Sequence, residues 1–275
     1  MLKPLWLVGV CVFVAGSAVA AHAEDAGGAG GVPFVFDNAL DGYAVSGTWF
    51  PLVASDAKNG PYGPVVFQLK DIKTGKTIKI AENGVSLLND ATRTISDLKS
   101  GATLHLNYAE KDRAEKGTCE NSKDTCLKLG DIPLDLQDLT FDGKPEVIIA
   151  QDGMGQRFGG AYRVYTLDFD DSSDPKDEIG AVTYNDAPYH EVFSQLDDMS
   201  TIDLTRKQIE IFSSGGACAN SAEFYGLNGD GGFSETGFEL WQDNGGKCMD
   251  QVYQVKTSDM GVQTWKLVSS KPAKE

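Results

Sequence analysis

Residues 67–80, FQLKDIKTGKTIKI, decide the fold class of this chain. In the first half Phe67 and Leu69 alternate with polar residues, and in the second half two isoleucines do the same. A period of two is typical of a β-strand that is buried on one face. The polar, glycine-containing residues 73–76 between the two runs fit a turn. The stretch therefore predicts two strands joined by a short turn.

The same alternation recurs along the chain from residue 34 onwards, and glycine-rich or Asn/Asp-rich turns separate the runs. Residues 147–149, Val-Ile-Ile, form a continuous apolar run, which is expected of a central strand buried on both faces. The best helix candidate is residues 187–200. We therefore predict a mainly β protein, an antiparallel β-sandwich-like fold with few short helices. One continuous sandwich and two β units both remain open.

The acidic charge balance argues against nucleic acid as a partner. The 275 residues carry 24 Lys and Arg against 40 Asp and Glu, which gives a formal net charge of −16. Such a chain cannot neutralise a row of phosphates, so we expect no nucleic-acid partner. An acidic surface suits a basic protein or a divalent cation.

The N-terminus predicts export. Residues 1–23 combine Lys3, the uncharged apolar run 5–15 and the small-x-small sequence Ala21-His22-Ala23, which together form a secretory signal peptide. The apolar run is too short for a membrane span, so we expect none after cleavage. Cleavage after Ala23 would remove one lysine and no acid, changing the formal charge from −16 to −17. We expect a periplasmic protein.

Four cysteines remain once Cys11 leaves with the signal peptide. An even number in an exported chain points to disulfides. Three pairings are possible, and proximity in sequence favours Cys119–Cys126 and Cys218–Cys248. Zinc or a catalytic thiolate is the alternative, but neither pair has the CxxC spacing.

A polar, cysteine-bearing segment at 109–130 suggests a domain boundary. The predicted organisation is a flexible leader at 24–33, an N-terminal β region of unassigned role at 34–130, a second β domain at 131–268 and a tail at 269–275.

Residues 138–146, DLTFDGKPE, form the most specific motif. Oxygen-bearing groups fall at the first, third, fifth and ninth positions, with glycine at the sixth, which is how a short loop wraps calcium. The twelfth position holds no glutamate, so a helix-flanked EF-hand is excluded and the loop belongs between strands. A plain Asp/Gly turn without metal is the alternative. The predicted ligands of Ca²⁺ are Asp138, Thr140, Asp142, the backbone carbonyl of Lys144, and Glu146, with Asp135 as an additional outer contact.

The acidic loop and the residues after it resemble a family. The pattern D-x-[DNT]-x-D-G-x-x-[DE] is followed by the apolar run 147–149, a Gly-rich segment and a Tyr-bearing strand. This order is similar to that of the periplasmic inhibitors of peptidoglycan hydrolases, which are lysozyme inhibitors and related immunity proteins with an FG-GAP-like calcium loop. The resemblance covers about residues 131–268 and implies a loop that enters a hydrolase cleft.

The inhibitory loop of that family reads Ser-Gly-x-x-Tyr, and residues 158–162 here read FGGAY. Phe158 replaces the serine, so Arg157 or backbone amides would have to pair with a catalytic carboxylate instead. An ordinary glycine loop with Tyr162 in the core of its strand is the alternative. The partner-binding residues implied by the resemblance are Gly153, Gly155, Arg157, Phe158, Gly159, Gly160 and Tyr162.

The resemblance implies a periplasmic inhibitor of a basic lysozyme-like peptidoglycan hydrolase, acting in immunity or defence. The alternative is a calcium-stabilised envelope binding or adhesion module without a hydrolase partner. The sequence has no G-x-S-x-G motif and no P-loop, and neither His105 nor His190 has a partnered nucleophile beside it. We therefore expect no enzyme, although a pair of carboxylates would be enough for a glycosidase.

Overall fold

In the residues described by a computed structural model, the protein is almost entirely β and forms three sheets. The strand pairs in this part of the chain are antiparallel except the pairing of the first strand with the fifth, so the predicted fold class is confirmed. One helical turn, α1, spans His190–Phe193 within the predicted helical stretch. The structure describes residues 30–52, 61–88, 101–107, 115–119, 123–129, 132–151, 162–167, 190–216, 218–229, 231–258 and 262–273.

The first sheet has five strands in the order β4-β3-β2-β1-β5 and contains the predicted hairpin. Phe67 pairs with Ile80 and Leu69 with Ile78, and all four side chains are buried. In the turn Gly75 adopts a φ of +76°, a backbone conformation that costs glycine little. The strands are β1 Val32–Phe36, β2 Tyr43–Trp49, β3 Gly63–Asp71, β4 Thr77–Val85 and β5 Leu104–Leu106.

The second sheet has three strands in the order β10-β9-β8 and lies between the other two sheets. Val147 and Ile149 pack into the core of the first sheet, whereas Ile148 packs into the core of the third. The continuous apolar run is therefore buried on both faces, as predicted. The strands are β8 Leu134–Gln137, β9 Glu146–Ala150 and β10 Tyr162–Thr166.

The third sheet has eight strands in the order β16-β15-β14-β13-β12-β11-β7-β6. Residues from both sides of the predicted boundary near residue 130 belong to the same sheets and cores. β6 and β7 precede it in sequence yet belong to this sheet, while Leu134 and Leu136 follow it yet pack against the first sheet. The strands are β6 Glu115–Thr118, β7 Thr125–Lys128, β11 Thr201–Asp203, β12 Gln208–Ser214, β13 Ala219–Leu227, β14 Phe233–Asp243, β15 Cys248–Thr257 and β16 Gln263–Pro272.

Both predicted disulfides are present. Cys119–Cys126 joins the end of β6 to β7, with 4.8 Å between the Cα atoms. Cys218–Cys248 joins the residue before β13 to the first residue of β15, with 5.5 Å between the Cα atoms. Within the described ranges, no helix is long and apolar enough to cross a bilayer.

Candidate functional site

The acidic loop connects β8 to β9, and Glu146 at its end is hydrogen-bonded to residues near its start. Glu146 is the first residue of β9 and is 3% exposed. Its carboxylate accepts hydrogen bonds from the Leu139 N–H (2.7 Å), the Thr140 N–H (3.2 Å) and the Thr140 hydroxyl (2.9 Å). Burial raises the pKa of Glu146 to about 7, and these hydrogen bonds oppose the rise. Glu146 therefore ties the start of the loop to the strand that follows it.

The outer half of the loop is a tight turn held by two aspartates. Asp138 accepts hydrogen bonds from the backbone N–H groups of Asp142 (3.1 Å) and Gly143 (2.9 Å). Asp142 accepts one from the backbone of Lys144 at 2.8 Å. Gly143 has a φ of +88°, so the sharp turn predicted at the sixth position is present.

The five predicted calcium ligands differ in burial. Thr140 and Glu146 are buried and bonded to each other, Asp138 is half-buried, and Asp142 and Lys144 are exposed. Each carboxylate oxygen has two lone pairs, so Asp138 and Asp142 keep more unused acceptor capacity than Glu146.

The described residues bring three ligand-type side chains within 4.8 Å of one another in one place, at Cys119, Cys126 and Asp203. Those two cysteines form a disulfide and offer no thiolate to a metal. Asp135, the predicted outer contact of the loop, is buried in β8, where it accepts hydrogen bonds from Leu136 and Gln137.

Tyr162 is the one predicted partner-binding residue that the structure describes. It is 4% exposed, pairs with Ala150 across β9 and β10, and packs in the core of the third sheet. Its position is that of a core residue of its strand, the alternative that the sequence left open. The other six lie outside the described residues: Gly153, Gly155, Arg157, Phe158, Gly159 and Gly160.

A buried polar cluster that the sequence reasoning missed centres on Glu82. Its carboxylate accepts hydrogen bonds from the Gln151 side-chain amide (2.9 Å), the Asn83 N–H (3.3 Å) and the Tyr165 hydroxyl. Burial raises the pKa of Glu82, and the positive charge of Arg163 lowers it in part. The cluster joins the first sheet to the second.

The alternation of β4 contained the signal for this cluster. Ile78 and Ile80 face the core, and the same period of two places Glu82 on that face. A carboxylate at a core position needs hydrogen-bond donors. Gln151 and Tyr165 supply them from either side of the connection between β9 and β10.

A second carboxyl cluster lies on the third sheet. Burial raises the pKa of Glu239 to about 7, and Asp250 and Glu210 add to the rise while Lys271 opposes it. The Lys271 ammonium lies 3.2 Å from Asp250 Oδ2. These residues come from β12, β14, β15 and β16, so no local sequence pattern connects them.

The structure therefore contains three acidic groups of interest. They are the acidic turn fastened by Glu146, the buried Glu82 carboxylate beside the β9–β10 connection, and Glu239, whose pKa is raised to about 7 by burial. No protein-family model, no curated protein and no solved structure matches the chain.

Proposed function

We propose that the chain is an exported inhibitor of a lysozyme-like peptidoglycan hydrolase, and that the connection between β9 and β10 enters the cleft of the hydrolase. The observation that carries the proposal is the antiparallel pairing of Ala150 with Tyr162. This pairing fixes both ends of the connection side by side on a sheet that two other sheets enclose. Closely spaced, fixed ends lower the entropy that a connecting segment loses on binding.

The composition of this connection suits a hydrolase cleft. Its glycines at 153, 155, 159 and 160 allow the backbone to approach a groove built for a sugar chain. Arg157 offers a guanidinium for a catalytic carboxylate, and Phe158 offers an aromatic anchor.

The charge and the disulfides agree with the proposed compartment and partner. Disulfides persist in oxidising compartments such as the periplasm. A formal charge of −16 attracts basic proteins over long range, and hydrolases of anionic cell-wall polymers are often basic.

We also propose that Ca²⁺ binds the acidic loop. The cation would be held by Asp138, Asp142 and the Lys144 carbonyl, because Asp142 and Lys144 are exposed and the Asp138 carboxylate keeps unused lone pairs. Glu146 would act from the inner side, by fastening residues 139–140 to β9. Bound calcium would stiffen the turn that leads into the central strand.

Clearing of cell-wall suspensions by lysozymes of several types, with and without the mature chain, tests the inhibitor proposal. Protection that is lost in Arg157→Ala and Phe158→Ala supports it. The matched controls are Arg206→Ala, which removes an exposed arginine of a surface ion pair, and Ile72→Ala, which removes an exposed apolar side chain. Tyr162 is unsuitable as a probe because its burial makes any substitution a test of folding.

The same assay separates the alternatives. Equal clearing with and without the chain contradicts inhibition and favours an envelope binding module. Faster clearing would mean that the chain is itself a hydrolase.

A further inference from the structure

The far end of the third sheet carries an aromatic surface, formed by the half-buried Phe238 of β14 and Tyr253 of β15 and the exposed Trp265 of β16. The ring centroid of Phe238 lies 6.2 Å from that of Tyr253 and 5.1 Å from that of Trp265. The Tyr253 and Trp265 centroids are 6.4 Å apart. Trp265 is 47% exposed and Leu267 beside it is 48% exposed. We call these four residues the outer aromatic surface.

The register places this surface on the core-facing side of the sheet. Phe238 lies opposite Glu223 and Tyr253, and Glu223 lies opposite Ile211. Ile211 is buried in the core shared with the second sheet. The same face is therefore covered at β12 and open to solvent at β16.

A carboxylate with unused acceptor capacity borders the surface. Glu235 Oε2 accepts a hydrogen bond from the Gln263 side chain at 3.0 Å. Glu235 Oε1 is buried and has no hydrogen-bond partner in the described part of the chain. Burial and the nearby charge of Glu223 both raise the pKa of Glu235, so a cation placed here would relieve an unfavourable charge.

We infer that the outer aromatic surface docks a basic protein by receiving an arginine side chain, whose guanidinium stacks on the exposed Trp265 ring and pairs with the half-buried Glu235 carboxylate. A guanidinium has N–H groups for a carboxylate and also a flat face that stacks on aromatic rings. An ammonium has N–H groups but no flat face. The net charge of −16 favours approach of such a partner. The inference rests on the proposed function in taking the basic partner to be a hydrolase.

Calorimetric titration of the folded mature chain with basic lysozymes of several types tests the inference. We expect Trp265→Ala and Glu235→Gln each to weaken binding about tenfold, the scale of an interface hot spot. The control is Glu239→Gln, which is the same substitution on the same strand but belongs to the carboxyl cluster with Asp250 and Lys271. If Trp265→Ala does not fold, Leu267→Arg places a repulsive charge on the same surface. Blocking the arginines of the lysozyme with a dicarbonyl reagent should weaken wild-type binding and leave the Glu235→Gln affinity nearly unchanged.

The outcomes separate this inference from the proposed function. Wild-type affinity in both variants, with inhibition intact, overturns the surface and leaves the inhibitor proposal standing. Binding that depends on Trp265 and Glu235 but does not slow clearing supports the surface and contradicts inhibition. Absence of binding to every basic lysozyme overturns both.

Discussion

The side-chain amide of Gln151 donates a 2.9 Å hydrogen bond to Oε2 of Glu82, a residue 69 positions earlier in the chain. Glu82 belongs to the first sheet, and Gln151 follows the last residue of β9 in the second. The N-terminal region, which the sequence left without a role, thus holds the strand from which the β9–β10 connection begins. We expect the attachment of the second sheet to the first to depend on Glu82.

Glu82→Ala should destabilise the chain by about 1–3 kcal/mol, because the Gln151 amide and the Tyr165 hydroxyl would lose their shared acceptor in a buried site. Glu82→Gln keeps an acceptor oxygen and should cost less. Urea unfolding of both variants measures the difference, with Lys79→Ala on the exposed face of β4 as the control. Unfolding midpoints that coincide with the wild type would contradict the role assigned to Glu82.

Substitutions of Glu146 and Asp142 should have different effects, because Glu146 fastens the loop and Asp142 is a proposed calcium ligand. Glu146→Ala should destabilise the calcium-free chain by about 1–3 kcal/mol, since it leaves three donors without their acceptor. Asp142→Asn should change calcium-free stability little, but should abolish the stabilisation that calcium gives the wild type, about 2.7 kcal/mol at a concentration one hundred times the Kd. Unfolding in chelator and in excess calcium measures both effects. Identical responses of the two variants would show that this division of roles is wrong.

The stability of the chain should fall as the pH rises from about 4.5 to about 7. Glu146 contributes to this decline because its pKa is raised to about 7, and a second contribution comes from Glu239. Its pKa is raised from 4.5 to about 7 by burial and by Asp250 and Glu210, with Lys271 opposing. In that window the folded chain keeps a proton that the unfolded chain has released, so rising pH favours unfolding, and the loss is complete above the folded pKa. Glu239 is partly exposed, so solvent screening reduces the size of the effect.

Thermal melts across this pH range should therefore show a smaller decline for Glu239→Gln than for the wild type. Parallel curves for the two proteins would refute the assignment to Glu239.

The two disulfides should contribute unequally. Their half-cystines are 30 residues apart in Cys218–Cys248 and 7 apart in Cys119–Cys126. In the chain-entropy account the longer loop stabilises by about 3–4 kcal/mol and the shorter by about 2–2.5 kcal/mol. Urea unfolding of the two Cys→Ser double variants measures both contributions. The reverse order would mean that native contacts, and not loop length, dominate.

The candidate site could be predicted only in part. The spacing of residues 138–146 predicted a sharp turn at Gly143, and the structure gives this glycine a φ of +88°. It did not predict that Glu146 turns inward and bonds to Leu139 and Thr140, because the spacing identifies which residues carry oxygens but not which backbone N–H groups occupy them.

The hairpin at 67–80, the doubly buried strand at 147–149 and both cysteine pairs could be predicted without the fold. The hairpin follows from side-chain alternation, the strand from a continuous apolar run, and the pairing from cysteines that lie within 30 residues of each other. Only the tertiary structure decided that β9 lies between two sheets and that Glu82 meets Gln151 and Tyr165, 69 and 83 residues away. The arrangement of the sheets depends on which apolar faces pack together. The periodicity of one strand shows that a face is buried but not which face it packs against.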